Sequence, residues 1–183
     1  MINKKTWLLL PTALFPYVIL FVLATVFYSS RISMFEYIME TVFNSNALNL
    51  LLVLLIYCLI ATILSIACFG ICIHKNTDAL ALAKTAMIIK IIQIPAYILI
   101  FILGILFLIT LFTIPFTIAL FIFDGFTLVL TSLITISSII NAVKQGVFQT
   151  KEVILIAILQ YIFCADVISS IAYYFMLKKR YNN

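Results

Sequence analysis

Residues 47–73 contain no Asp, Glu, Lys or Arg. A helix rises about 1.5 Å per residue, so about 20 apolar residues cross a hydrocarbon core of about 30 Å. A run this long and this bare has one stable environment, the interior of a bilayer, where only a helix or a closed barrel satisfies its own backbone. The rest of the chain agrees. Of its 183 residues 66% are hydrophobic and 9% charged, with a mean hydropathy of +1.31. Soluble domains are about half apolar and about a quarter charged, so this chain lacks the polar surface to coat a soluble globule. The fold expected is an all-α polytopic transmembrane helix bundle of about five spans, one integral membrane domain over residues 1–183.

The expected spans are residues 7–28, 47–73, 91–112, 116–143 and 152–177. Trp7 and Tyr28 bracket the first, at positions where amphipathic rings prefer the interface. That run exceeds a signal-peptide core of about 7–15 residues and lacks a small-residue cleavage pattern, so it reads as an uncleaved span. Pro11 and Pro16 lie in its first half and predict a kink. Residues 29–46 form a polar loop whose middle, 34–43, predicts a short helix at the membrane surface. Residues 74–78 form a tight polar turn in which Thr77 or Asp78 caps the next helix. Residues 79–90 carry Lys84 and Lys90 and read as an interfacial entry helix whose lysines reach towards headgroups. Between 91 and 141 there is room for two spans and not three. Their turn falls at Pro115 or at Asp124-Gly125; the proline leaves both spans long enough and is preferred. Gly146 is a helix stop.

Net charge is +5. The basic residues cluster at the ends of apolar runs, where they orient spans, and no basic-aromatic face for nucleic acid is present. Counting them favours a cytoplasmic N-terminus. Five spans would then put Lys178, Lys179 and Arg180 on the outer side, which contradicts the same rule. Either the tail is tolerated there or one span is not a crossing.

The candidate polar intramembrane site is a stripe on the fourth span. Asp124, Thr127, Thr131, Thr135 and Ser138 recur every three or four residues, on one helical face. Two readings stand. The stripe is the wall of an ion or solute path, or its hydroxyls are packing glue that bonds back to their own helix. Asp166 lies within the fifth span, with Ser169, Ser170 and Tyr173 on its broad face. A carboxylate in a membrane is a functional-site hypothesis by default. Lys90 is the only basic residue available for an ion pair with either acid, and its position suggests that it lies too far towards the inner side. Cys58, Ala61, Thr62, Ser65 and Cys72 give the second span a small-residue packing face. Cys68 and Cys72 are one helical turn apart, but a single histidine makes a metal site improbable by ligand count.

No P-loop, G-x-S-x-G, H-E-x-x-H or G-x-G-x-x-G is present, so no catalytic residues and no cofactor are expected. The flanks Phe123-Asp124-Gly125 and Ala165-Asp166-Val167 lack the pattern of aspartyl intramembrane proteases. The stretch Met87-Ile88-Ile89-Lys90-Ile91-Ile92-Gln93-Ile94-Pro95-Ala96-Tyr97, with Phe163-Cys164-Ala165-Asp166, resembles small uncharacterised multi-pass membrane proteins of low-GC Gram-positive bacteria. That resemblance implies a bacterial plasma membrane and no particular activity. Two functions fit: a channel or transporter-type protein using the polar stripe, or an accessory protein that holds a partner or lipid through its helix faces and the 29–46 loop. Expected partners are the lipid bilayer and either a second copy or another membrane protein, with no nucleic acid.

Overall fold

The computed structural model describes residues 8–109 and 113–182. Among them are seven helices and no strand: α1 (Leu10–Tyr28), α2 (Ser33–Thr41), α3 (Ala47–His74), α4 (Ala79–Phe107), α5 (Ile114–Lys144), α6 (Thr150–Leu159) and α7 (Ala165–Asn182). Four of these, α1, α3, α4 and α5, are long and apolar enough to cross a membrane. The chain is a multi-pass integral membrane protein with a helical bundle fold. Trp7 and residues 110–112, parts of two expected spans, lie outside the described residues.

The four long helices alternate in direction. At one end Leu9 and Ala13 pack with Cys68, Cys72, Leu82 and Ala86. At the other end Phe27 stacks on Phe107 and meets Phe116 at a tilt, with ring centroids 5.3 and 5.2 Å away. The first end, which holds the α3–α4 turn and the α5–α6 loop, is called the basic end below. Helix α5 is the hub and touches α1, α3, α4, α6 and α7, with α4 as its most extensive partner. The predicted surface helix is α2; its Phe35 ring meets Phe21 and Tyr28 at 6.0 and 6.5 Å.

Two expectations need correction. Residues 79–90 are not a separate entry helix; they are the first turns of α4, which runs unbroken through Pro95 to Phe107. Asp78 caps it, its carboxylate accepting from the amides of Leu80 and Ala81 at 3.3 and 3.1 Å. Lys84 lies on the exposed face, and Lys90 turns inward and is fully buried. No break is needed between them. Helix α4 ends at Phe107 and α5 begins at Ile114, with proline in its first turn, and Asp124-Gly125 sits inside that helix. Asp-Gly signals a turn in water; in a bilayer, an open turn there would expose backbone groups to hydrocarbon.

The second correction concerns residues 152–177. Instead of one crossing, α6 and α7 form a helical hairpin that returns to the basic end. Arg180, near the end of α7, meets Glu152, in the first turn of α6, with Nη2–Oε1 at 2.5 Å, and donates to the Val147 carbonyl at 2.8 Å. Its guanidinium lies 4.3 Å over the Phe148 ring, and Tyr181 donates to Gln145 at 2.7 Å. A straight helix over residues 152–180 would hold those partners about 42 Å apart. The tip, residues 160–164, carries no Gly or Pro. Cys164 supplies the bend with a left-handed φ of +64°, a conformation that a residue bearing a Cβ adopts only against a steric cost. Phe163 at the tip meets Tyr97 and Phe101 at 5.7 and 6.4 Å. Those residues lie about 27–33 Å along α4 at 1.5 Å per residue, so the tip lies far along α4 from the basic end, with Gln160 buried and Tyr161, Ile162 and Cys164 on the outer face.

The hairpin removes the charge conflict of a five-crossing chain. Among the described residues Lys75, Lys84, Lys144, Lys151, Lys178, Lys179 and Arg180 gather towards the basic end, and Arg31 alone lies towards the other. Reporter fusions at the C-terminus and within the 75–77 turn should therefore report the same side of the membrane. Opposite sides would refute the hairpin.

Candidate functional site

Helix α4 buries one heptad stripe: Ala79, Ala83, Ala86, Lys90, Gln93, Tyr97 and Ile100. The three alanines let α4 approach its neighbours closely. The polar members follow, at the level where the hairpin tip arrives. On α7 the buried stripe is Asp166, Ser170, Tyr173 and Leu177, with Ser169 beside it. The two stripes meet at a salt bridge between Lys90 Nζ and Asp166 Oδ2, 2.6 Å long, with both side chains 0% exposed. The expectation that Lys90 lies too far inward to reach either acid is overturned. Asp166 is not in the middle of a crossing; it occupies the first turn of α7, just beyond the hairpin tip, where its negative charge also faces the positive end of that helix dipole.

Asp124 comes from α5 and is buried. It lies within electrostatic reach of Lys90, Asp166 and Tyr97. The Oδ1 atoms of both Asp124 and Asp166 are buried without a hydrogen-bond partner among the described residues. The cluster thus sets two carboxylates against one ammonium, away from water.

The tip is stitched by Gln160, which is fully buried. Its amide donates to Ser169 at 2.7 Å, its carbonyl oxygen accepts from Ser170 at 3.0 Å, and its backbone carbonyl accepts from Ser132 of α5 at 2.8 Å. The stripe residues of α5 differ among themselves. The hydroxyls of Thr127 and Thr131 donate back to Phe123 and Thr127, each at 2.9 Å. Ser138 donates to the Ala79 carbonyl at 2.7 Å and meets the Tyr173 hydroxyl at 3.2 Å, nearer the basic end. The Thr135 hydroxyl oxygen is buried without a partner. The structure therefore brings Asp124, Asp166, Lys90 and Ser170 into one polar layer, turns Thr127 and Thr131 back onto their own helix, and leaves Ser138 as a fastener from α5 to α4 and α7.

Gln93 and Tyr97 belong to the layer and were not singled out from the sequence. The heptad spacing 79-83-86-90-93-97-100 carries them, and it is legible once residues 79–107 are read as one helix. Gln93 has a specific task. Pro16 has no amide proton, so the Thr12 carbonyl one turn earlier on α1 loses its helical partner. The Gln93 amide donates to that carbonyl at 3.1 Å and to Ala13 at 3.4 Å. A second bond ties the same two helices: the Tyr17 hydroxyl of α1 donates to the Ile92 carbonyl of α4 at 2.5 Å. Thr12 continues the layer to α3 through a 2.6 Å contact with the Ser65 hydroxyl. Tyr97 donates to Gln93 at 3.2 Å. A polar path thus runs from Tyr97 through Gln93 and Thr12 to Ser65, crossing α4, α1 and α3.

Cys68 and Cys72 sit with their sulfurs 3.9 Å apart. Among the described residues no group of three or more His, Cys, Asp or Glu side chains gathers.

Two sets of variants test this layer by unfolding in detergent. Lys90→Met alone should cost about 3–5 kcal/mol, because it strands a buried carboxylate, and adding Asp166→Leu should recover most of it. Gln93→Leu should cost about 1–3 kcal/mol by leaving buried carbonyls unmade. In a Pro16→Ala background, where the amide returns to Thr12, that cost should fall to about 1 kcal/mol or less. Simple additivity of Pro16→Ala and Gln93→Leu would show that the carbonyl repair is not the role of Gln93.

No family model, no curated protein and no solved structure matches this chain, so the chemistry of the site rests on its own residues.

Proposed function

We propose that this integral membrane protein is of the channel or transporter type, and that the Lys90–Asp166–Asp124 cluster is its working site. The observation that carries this reading is the position of the salt bridge: it joins a continuous crossing helix to the tip of a hairpin that enters and leaves at one end. Non-helical backbone at membrane depth persists only where protein covers it or where it lines a cavity. Interrupted helices that present charged groups near the bilayer midplane are a recurring way of building ion and solute sites. A purely structural pair is a poor way to gain stability, since hydrophobic residues of similar volume often do as well or better.

Two further features support the reading. The hairpin is held at its base by the exposed Arg180–Glu152 pair, and exposed pairs contribute little. The tip is held by polar contacts that can be exchanged. Val153, Ile156, Tyr173 and Leu177 anchor the rest of the hairpin in a buried apolar cluster with Ala79 and Ala83 of α4 and Ile139 and Ala142 of α5, so exchange of these contacts moves the tip and leaves that cluster packed. The one-sided distribution of Lys and Arg supports a cytoplasmic basic end and a cytoplasmic N-terminus. The resemblance to proteins of low-GC Gram-positive bacteria supports a bacterial plasma membrane. No group in the cluster is arranged as a nucleophile with its base, so the reading is not enzymatic.

Proteoliposomes containing the purified protein should pass ions or small solutes faster than protein-free liposomes. Asp166→Asn should lower that flux about tenfold or more while the protein remains monodisperse. A wild-type flux equal to that of empty liposomes across a panel of ions and small solutes would sink the proposal.

A further inference from the structure

The cluster holds more negative than positive charge. Lys90 is the only basic side chain in it, and its ammonium bonds Asp166 Oδ2. Asp124 has no cation of its own. Every element packed around it bears on this count. Helix α4 contributes Lys90 and the neutral Tyr97, and α7 contributes Asp166. On α5 itself Asp124 is the only ionisable residue before Lys144. Helix α1 carries no charged side chain, and α3 carries only His74, at its far, basic-end terminus. The titratable groups that α3 presents nearer this level, Tyr57 and Cys58, are neutral.

An uncompensated carboxylate in a medium of low dielectric is costly enough that it acquires a partner or loses its charge. Two buried oxygens are available for that partner, Asp124 Oδ1 and Asp166 Oδ1, neither of which accepts a hydrogen bond from the described residues. The Asp166 side chain is 0% exposed and the whole Asp124 residue 9% exposed. No second lysine or arginine among the described residues bonds them, and a cation from outside these residues would supply the missing positive charge.

We propose that Asp124, next to the Lys90–Asp166 pair, binds one exchangeable monovalent cation, either a proton or an alkali metal ion. Binding balances the cluster at two negative and two positive charges. Release leaves Asp124 to compete with Asp166 for the Lys90 ammonium, which loosens the attachment of the hairpin tip. No covalent bond is made or broken in the alkali-ion case. In the proton case the proton leaves water, bonds to a carboxylate oxygen and returns to water. This deepens the transport reading by naming the ion that would couple to hairpin movement.

The test is the thermal unfolding midpoint of the full chain in detergent, which needs no flux. Two series are measured: mildly acidic to mildly alkaline buffer with choline as the only salt cation, and increasing sodium, lithium or potassium at fixed alkaline pH. Wild type should move by about 3 °C or more in one of them. A response to acid alone identifies the proton, and a response to one alkali ion over choline identifies that ion. Asp124→Asn, which keeps the shape of the neutral acid, should lose the response. If that variant does not fold, infrared spectra of wild type decide: a protonated carboxyl band that titrates, or a carboxylate band that shifts on adding the alkali ion, supports the site. A wild type indifferent to both series, or an equal response in Asp124→Asn, overturns the proposal. Ion response without flux would retain the site and remove only the transport reading.

Discussion

Hydrocarbon offers no hydrogen bonds, and the interruption of the chain at residues 160–164 therefore dictates much of what surrounds it. Opening a helix at membrane depth frees backbone groups that water cannot reach, each at a cost of several kcal/mol. The tip answers locally with tight turns, Tyr161 to Ile158 at 3.1 Å and Ile162 to Leu159 at 3.3 Å, and restarts the ladder with Asp166 to Ile162 at 3.0 Å. What remains is met from outside. Ser132 takes the Gln160 carbonyl, the Gln160 side chain bridges two serines of α7, and Lys90 meets the acid that opens α7. The polar residues of α4 and α5 are placed where the hairpin needs them.

The same rule governs the proline within α1. Pro16 leaves the Thr12 carbonyl without its helical partner, and Gln93 of α4 supplies the donor, while the Tyr17 hydroxyl of α1 adds a bond to the Ile92 carbonyl of α4. This is how α1 is tied to α4 at mid-depth, where apolar packing alone distinguishes poorly between helix and lipid. Near the basic end Asn141 serves a similar purpose. Its amide donates to the carbonyls of Cys72 and Thr77 at 3.0 and 2.9 Å, closing the end of α3 and the turn before α4 onto α5. Polar bonds set the register of the bundle, and the apolar surface sets only its solvent.

That division explains why the stripe on α5 reads ambiguously from the sequence. Spacing puts Asp124, Thr127, Thr131, Thr135 and Ser138 on one buried face. It does not say which hydroxyls turn back to their own helix and which reach across. Thr127 and Thr131 turn back to their own helix, and Ser138 reaches across to α4 and α7. The pairing of Lys90 was hidden for a different reason. Its reach depends on where Asp166 lies, and that depends on a fold-back at residues whose composition, Gln-Tyr-Ile-Phe-Cys, carries no turn signal.

Composition and run length by themselves determined the class of this protein: an all-helical chain in a bilayer, with ends at Tyr28, Asp78 and Gly146 marked by an aromatic, a cap and a glycine. They also determined that Asp124 and Asp166 face inward, because a carboxylate cannot face lipid cheaply. The tertiary structure decided that 79–107 is one helix, that residues 152–177 turn back instead of crossing, and that Lys90 meets Asp166. Apolar periodicity records how much surface a segment hides but not its direction of travel. Direction at the hairpin is fixed by a left-handed Cys164 and by contacts between residues far apart in the chain, and neither leaves a local trace in the sequence.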